Sequence, residues 1–217
     1  MRQINENEKV YVCNKTLDDD VFDFIYNAAM NDAVMQNAYK GEKQVVLKND
    51  KARIKVREYI DGILFPKENS KKDFYDTADA VISAIGNKEF TFGNAQKLIN
   101  MTVKYMYIVT YGDKKKRKLF EECHCPMDSI MIPIVKKKFV KLLEKNNQSR
   151  EIDSQMLEFK DQNGKISKAW SNVYWSKITN GRDEYGPYKK YQAMVKALAD
   201  EEGINPVEYD FHYWKRV

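Results

Sequence analysis

Four stretches of this 217-residue chain hold side chains that could do chemistry together. The first runs Asn94-Ala95-Gln96-Lys97-Leu98-Ile99-Asn100 and on through Lys104-Tyr105. If helical, it puts Lys97, Asn100 and Lys104 on one face, because residues three, four and seven apart are neighbours there. Lys97 sits about one turn into such a helix, near unpaired backbone N–H groups and near Lys104. Both favour the free amine that a lysine nucleophile needs near neutral pH. The second stretch is the basic run Lys114-Lys115-Lys116-Arg117-Lys118. On a loop it would suit phosphates, which fix the register of a nucleic acid without reading its sequence. The third is Cys125-Pro126-Met127-Asp128, in which proline enters a turn and the aspartate, 31 residues after Lys97, can cap the next helix. The fourth is Asp210-Phe211-His212-Tyr213-Trp214, an acid and an indole four apart on one helix face.

The elements that must position these groups are mostly helices. Leu17, Val21, Ile25, Ala28 and Ala29 keep helical spacing behind a Thr16-Leu17-Asp18-Asp19 cap signal. A second helix over 50–65 carries Ile54, Tyr59, Ile60 and Ile63 and stops at Pro66. Residues 67–72 form a polar linker. A helix over 73–85 closes at Gly86-Asn87, and a long one follows from Phe92-Gly93 to about residue 109, with Ala95, Leu98, Thr102, Tyr105 and Val109 as its apolar face. Residues 128–145 read as helix with Pro133 kinking it or marking its first turn. Asp161-Gln162-Asn163-Gly164 is a turn whose flanks could pair as a hairpin. Gly186-Pro187 opens a helix that Gly203 closes, and Asn205-Pro206-Val207-Glu208 opens the last. Strand candidates are few, 9–13 and 44–47. The expected class is mainly α.

Gln96-Lys97 with its apolar helix through Lys104-Tyr105, followed by Pro126-Met127-Asp128 opening another helix, resembles the helix–hairpin–helix DNA glycosylases of the 8-oxoguanine type, and among them the archaeal GO glycosylases. The resemblance is specific over 92–107 and 126–132. It implies Lys97 as the nucleophile that attacks the sugar C1′ of a flipped-out nucleotide and forms a Schiff base, and Asp128 as its electrostatic partner. It implies that Asp210 reads the base edge and Trp214 stacks on it, and that Gly93, Gln96, Lys104, Lys114, Lys115 and Lys116 hold the DNA backbone. The hairpin departs from the commoner G-x-G form, since Phe92-Gly93 offers one glycine. By the same resemblance the fold has two interleaved lobes, a central one over 73–145 and a second drawn from 1–72 and 146–217. The partner is lesion-containing or double-stranded DNA, bound by a monomer without a cofactor.

Plainer readings stand beside these. A lysine on a helix face is usually solvated, and an aspartate ahead of a helix is fully explained as a cap. Trp170, Tyr174 and Trp175 read as core packing rather than a base cage. Cys123-His124-Cys125 cannot all reach one ion, and no second ligand pair accompanies them, so no metal is expected. There is no glycine-rich phosphate loop. A net charge of +5, from 37 Lys+Arg against 32 Asp+Glu, permits a polyanion partner without demanding one. No apolar run approaches a membrane span, no signal segment is evident at the start, and three cysteines make no disulfide framework. A reducing, cytoplasmic setting is expected. The rival reading is a non-catalytic nucleic-acid-binding or protein-interaction module of the same helical fold.

Overall fold

A computed structural model describes residues 19–35, 38–66, 72–145, 155, 157–161 and 163–213. The cap at Thr16, the strand expected over 9–13, most of the 67–72 linker and Trp214 lie outside them. The described chain is mainly helical: α1 (Asp19–Val34), α2 (Lys43–Leu47), α3 (Asp50–Leu64), α4 (Phe74–Ile85), α5 (Phe92–Thr110), α6 (Lys114–Lys118), α7 (Met131–Lys145), α8 (Pro187–Glu202) and α9 (Pro206–Tyr213). Two short strands, β1 (Phe159–Lys160) and β2 (Ile166–Ser167), pair antiparallel around the turn at Asp161. Asp161 holds that turn by accepting from the Asn163 and Lys165 N–H groups.

The ends of these helices follow from local chemistry. Asn49 Oδ1 accepts from Ala52 N–H at the start of α3. Asp73 Oδ1 accepts from Tyr75 and Asp76 N–H at the start of α4. Gly86 ends α4 at φ +66° and Gly203 ends α8 at φ +67°, a conformation that costs glycine nothing. Thr91 and Asn94 form a reciprocal capping box for α5. Pro133 does not kink α7. It lies in the first turn, where N–H groups have no partner within the helix and a missing one costs little.

Three expectations are corrected. Residues 44–47 form part of the single-turn helix α2 rather than a strand; Val46 is buried and Val45 exposed. A two-valine run is too short for periodicity to separate the two states. Ile54 of α3 points to solvent, the buried face being Ala52, Val56, Tyr59 and Ile60. Finally, α5 is not an amphipathic surface helix. Every residue from Phe92 to Lys104 is buried. It runs through the middle of the fold, with α1, α3, α4 and α9 packed on it and α7 lying against α8. Its polar side chains find partners inside the protein: Asn94 Nδ2 donates to Ala33 O (2.8 Å) and Thr102 Oγ1 donates to Leu98 O (2.8 Å). A helix can be surrounded by protein and still carry polar residues when each is hydrogen-bonded. No helix among the described residues is long and apolar enough to cross a membrane.

Candidate functional site

The central position of α5 decides where Lys97 goes. Its amine reaches across to the turn before α7, where Nζ lies 2.6 Å from Asp128 Oδ2. Both side chains are nearly buried. Asp128 caps as well: its Oδ1 accepts from Ile130 N–H (2.9 Å) and Met131 N–H (2.8 Å), so the two carboxylate oxygens do different work. The cap freezes the carboxylate, and the free oxygen takes a charge-assisted bond from the lysine.

The turn that carries Asp128 is held by two glutamines. Gln96 Nε2 donates to Met127 O (3.0 Å), and Gln96 Oε1 accepts from Met127 N–H (3.3 Å). Gln192 of α8 does the same at Cys125, donating to its carbonyl (2.7 Å) and accepting from its N–H (3.1 Å). Tyr191 donates its phenol to Pro126 O (2.9 Å). Each amide side chain thus acts like a neighbouring strand and satisfies both backbone groups of an alternate residue. Behind it, Asn100 Nδ2 donates to Gln96 Oε1 and to the Tyr188 phenol oxygen, both at 3.1 Å. Tyr188 meets His124 Nδ1 at 2.9 Å. Burial pulls the His124 pKa down to about 4, so its ring is neutral at pH 7.

About two turns further along α5, Lys104 forms a second buried ion pair, with Asp210 of α9. Burial pushes the Asp210 pKa up; the Lys104 charge pulls against it without reversing the direction. Asp210 Oδ1 has no hydrogen-bond partner among the described residues.

Lys97, Asp128, Lys104 and Asp210 line one cleft of about 780 Å³. Met101, Ile108 and Trp175 supply apolar surface, and Asp32 accepts from the Tyr105 phenol (2.6 Å) on the wall formed by α1. The Trp175 ring centroid is 6.0 Å from Lys97 Nζ, within reach of a cation–π contact. The arrangement offers an amine, a proton acceptor in contact with it and an aromatic surface in the wall of one open cleft.

The structure therefore brings together Lys97, Asp128, Lys104 and Asp210. Gly93 and Gln96, expected on the DNA backbone, lie inside the protein. The Gly93 N–H donates to Ile178 O (2.9 Å), and both ends of the Gln96 amide are taken up by the 125–128 turn and Asn100. Lys104, expected on the same backbone, is turned into the cleft toward Asp210. Lys114, Lys115 and Lys116 are exposed on α6, a helical turn capped by Asp113 rather than a loop, and are not part of the cleft wall. Trp170 is core, donating Nε1–H to Leu157 O (2.8 Å); Trp175 packs half-buried against the core while lining the cleft, and Tyr174 is exposed at the cleft instead of in the core. Their segment lacks helical or strand periodicity while being rich in aromatics, which is the signal that could have marked it. Nothing in the sequence singles out Gln192. Among the described residues no group of three His, Cys, Asp or Glu could hold a metal ion. No family model matches the chain, and no curated protein or solved structure does either.

Proposed function

We propose that this protein is a DNA glycosylase/lyase that removes a damaged or modified purine, oxidised guanine in the first instance, through a Schiff base on Lys97. The observation that carries the reading is the Lys97–Asp128 contact: two residues 31 apart in sequence meet at 2.6 Å in the wall of a cleft large enough for a nucleotide. A base within duplex DNA is out of reach, so it has to be extruded into such a space.

Asp128 Oδ2 takes the proton from the Lys97 ammonium. The freed amine attacks C1′, the bond from C1′ to the base nitrogen breaks, and the base leaves with that electron pair and takes up a proton. The nitrogen now on C1′ carries two protons and gives up one; cleavage of the bond from C1′ to the ring oxygen, with the oxygen taking up a proton, then leaves the protonated imine. Once the proton taken from Lys97 has passed on to the departing base, the Asp128 carboxylate, fixed by its two backbone bonds, stabilises the positive charge on the sugar. Trp175 and the Lys104–Asp210 pair provide a stacking surface and polar contacts for the extruded base. The reading needs no cofactor, and the partner is lesion-containing DNA.

Borohydride trapping tests it. The protein is incubated with duplexes containing 8-oxoguanine or an abasic site and then reduced. A covalent adduct in wild type that is missing in Lys97→Ala is the expected result. No adduct with either substrate refutes the reading.

A further inference from the structure

Over three residues the segment that brings Asp128 to Lys97 is held by side chains. Every main-chain donor and acceptor of Cys125, Pro126 and Met127 is bonded to a side chain of α5 or α8. The helical bonding of α7 begins only at Asp128, whose carbonyl accepts from Ile132 N–H (3.0 Å). The carboxylate thus sits where a helix takes over from a segment hung on its neighbours. One face of α8 supplies most of the grip. Tyr188, Tyr191 and Gln192 lie at i, i+3 and i+4, and they meet three successive residues. Tyr188 meets the His124 ring, Gln192 binds Cys125 at both its N–H and its carbonyl, and Tyr191 donates to Pro126 O. A segment held in this way takes its place from whatever satisfies its polar groups. No residue of α8 lines the cleft, so this helix bears on the Lys97–Asp128 pair through the segment it holds.

We infer that Gln192 is a positioning residue for the Lys97–Asp128 pair. By holding Cys125 at both its backbone groups it fixes where the 125–128 turn lies between α5 and α8, and with it the distance from Asp128 Oδ2 to the amine. The inference rests on the proposed function, in which that carboxylate takes the lysine proton. The two glutamines divide the work. Gln96 ties Met127 to α5, the helix that carries Lys97, so it moves with the amine. Gln192 ties Cys125 to α8 and anchors the turn to the far side of the fold. Proton transfer needs heavy atoms within about 2.6–3.2 Å of each other. The pair stands at 2.6 Å, and a misplacement of about 1 Å can slow a reaction about a hundredfold. Without the Gln192 amide, the Cys125 N–H and carbonyl turn to water, and the turn keeps only its bonds to Gln96 and Tyr191.

Gln192→Met keeps the length of the side chain and removes both bonds, and Gln192→Ala keeps the helix propensity and admits water. Gln192 is half-buried, so both variants are expected to fold, which a thermal melt checks. In each, single-turnover base release from an 8-oxoguanine duplex should fall about ten- to a hundredfold. Duplex affinity should stay within about twofold, since no α8 side chain lines the cleft. Amide exchange at Cys125 should quicken. The decisive readout is the Asp128→Asn background. A residue that acts through Asp128 has nothing left to position there, so adding Gln192→Met should lower the rate no further. A structural role lowers it by the same factor in both backgrounds, and that result overturns the inference. So does an unchanged rate or unchanged Cys125 exchange in a folded variant, and so does failure of both variants to fold. Wild type that binds the duplex but neither releases base nor forms the borohydride adduct overturns the reading of the cleft, and this inference with it.

Discussion

Replacing Gly93 by alanine sets two physical effects against each other. In an isolated helix, alanine in place of glycine stabilises by about 0.5–1 kcal/mol. In this fold Gly93 sits in the first turn of α5, directly beneath the segment that carries Trp175. A methyl group there would lie 2.9 Å from Ser176 Cα and from the Trp175 carbonyl carbon, and closer still to the Trp175 carbonyl oxygen. Carbon atoms prefer about 3.5–4.0 Å. The obstruction is backbone, so the segment must lift by roughly 1 Å rather than swing a side chain aside. Overpacking of this kind costs about 1–3 kcal/mol. Lifting also stretches the bond from Gly93 N–H to Ile178 O, at about 0.5–1.5 kcal/mol. The net expectation is a loss of about 2 kcal/mol, or a Tm lower by about 4–8 °C for a chain of this size. Gly112→Ala is the control: nothing lies within 4 Å of the added methyl, and its stability should be unchanged or slightly raised. Urea and thermal melts on both variants decide the matter. A Gly93→Ala protein at least as stable as wild type would refute the packing argument. The same variant displaces Trp175 from Lys97 and should slow adduct formation by up to about a hundredfold.

Three further outcomes are expected. Asp128→Asn keeps a side chain able to cap but removes the carboxylate facing Lys97. Single-turnover base release should fall about a hundredfold or more while the melting temperature drops only modestly. Gln96→Leu leaves the buried N–H and C=O of Met127 without their partner, which should cost about 2–4 kcal/mol in urea unfolding and slow the chemistry by freeing the 125–128 turn. For His124, the folded pKa of about 4 lies below the unfolded value of 6.5, so the unfolded chain binds more protons between them. Its neutral state is favoured fully above pH 6.5, and stability falls by up to about 3 kcal/mol as the pH drops from 6.5 to 4. Chemical denaturation over that range should be flatter for His124→Phe than for wild type; identical slopes would remove His124 as the cause.

Much of this molecule can be read from residues and spacing. Asp73, Gly86, Thr91, Pro187 and Gly203 mark helix ends because caps, left-handed turns and first-turn prolines act within a few residues of themselves. The placement of Asp128 as a cap is local in the same sense. Its choice as a partner for Lys97 came from a resemblance of motifs, not from spacing, since nothing in a 31-residue interval states that its ends meet.

Tertiary structure decided the rest. The polar face of α5 looks like a solvent-facing stripe in sequence, because a lysine or glutamine side chain is the same whether water or protein surrounds it. Only the packing of α1, α4 and α9 turns Gln96 into a clamp on Met127, Lys104 into the partner of Asp210, and Gly93 into a seat for a backbone. Trp170 and Tyr174 differ by four positions and have opposite fates, one in the core and one exposed on the cleft, since their segment has no periodicity to assign a side. Helix boundaries are set by interactions among near neighbours, so the sequence determined them. Which face of each helix meets a partner, and which side chains share a cleft, depends on contacts between distant segments, and these exist only once the chain is folded.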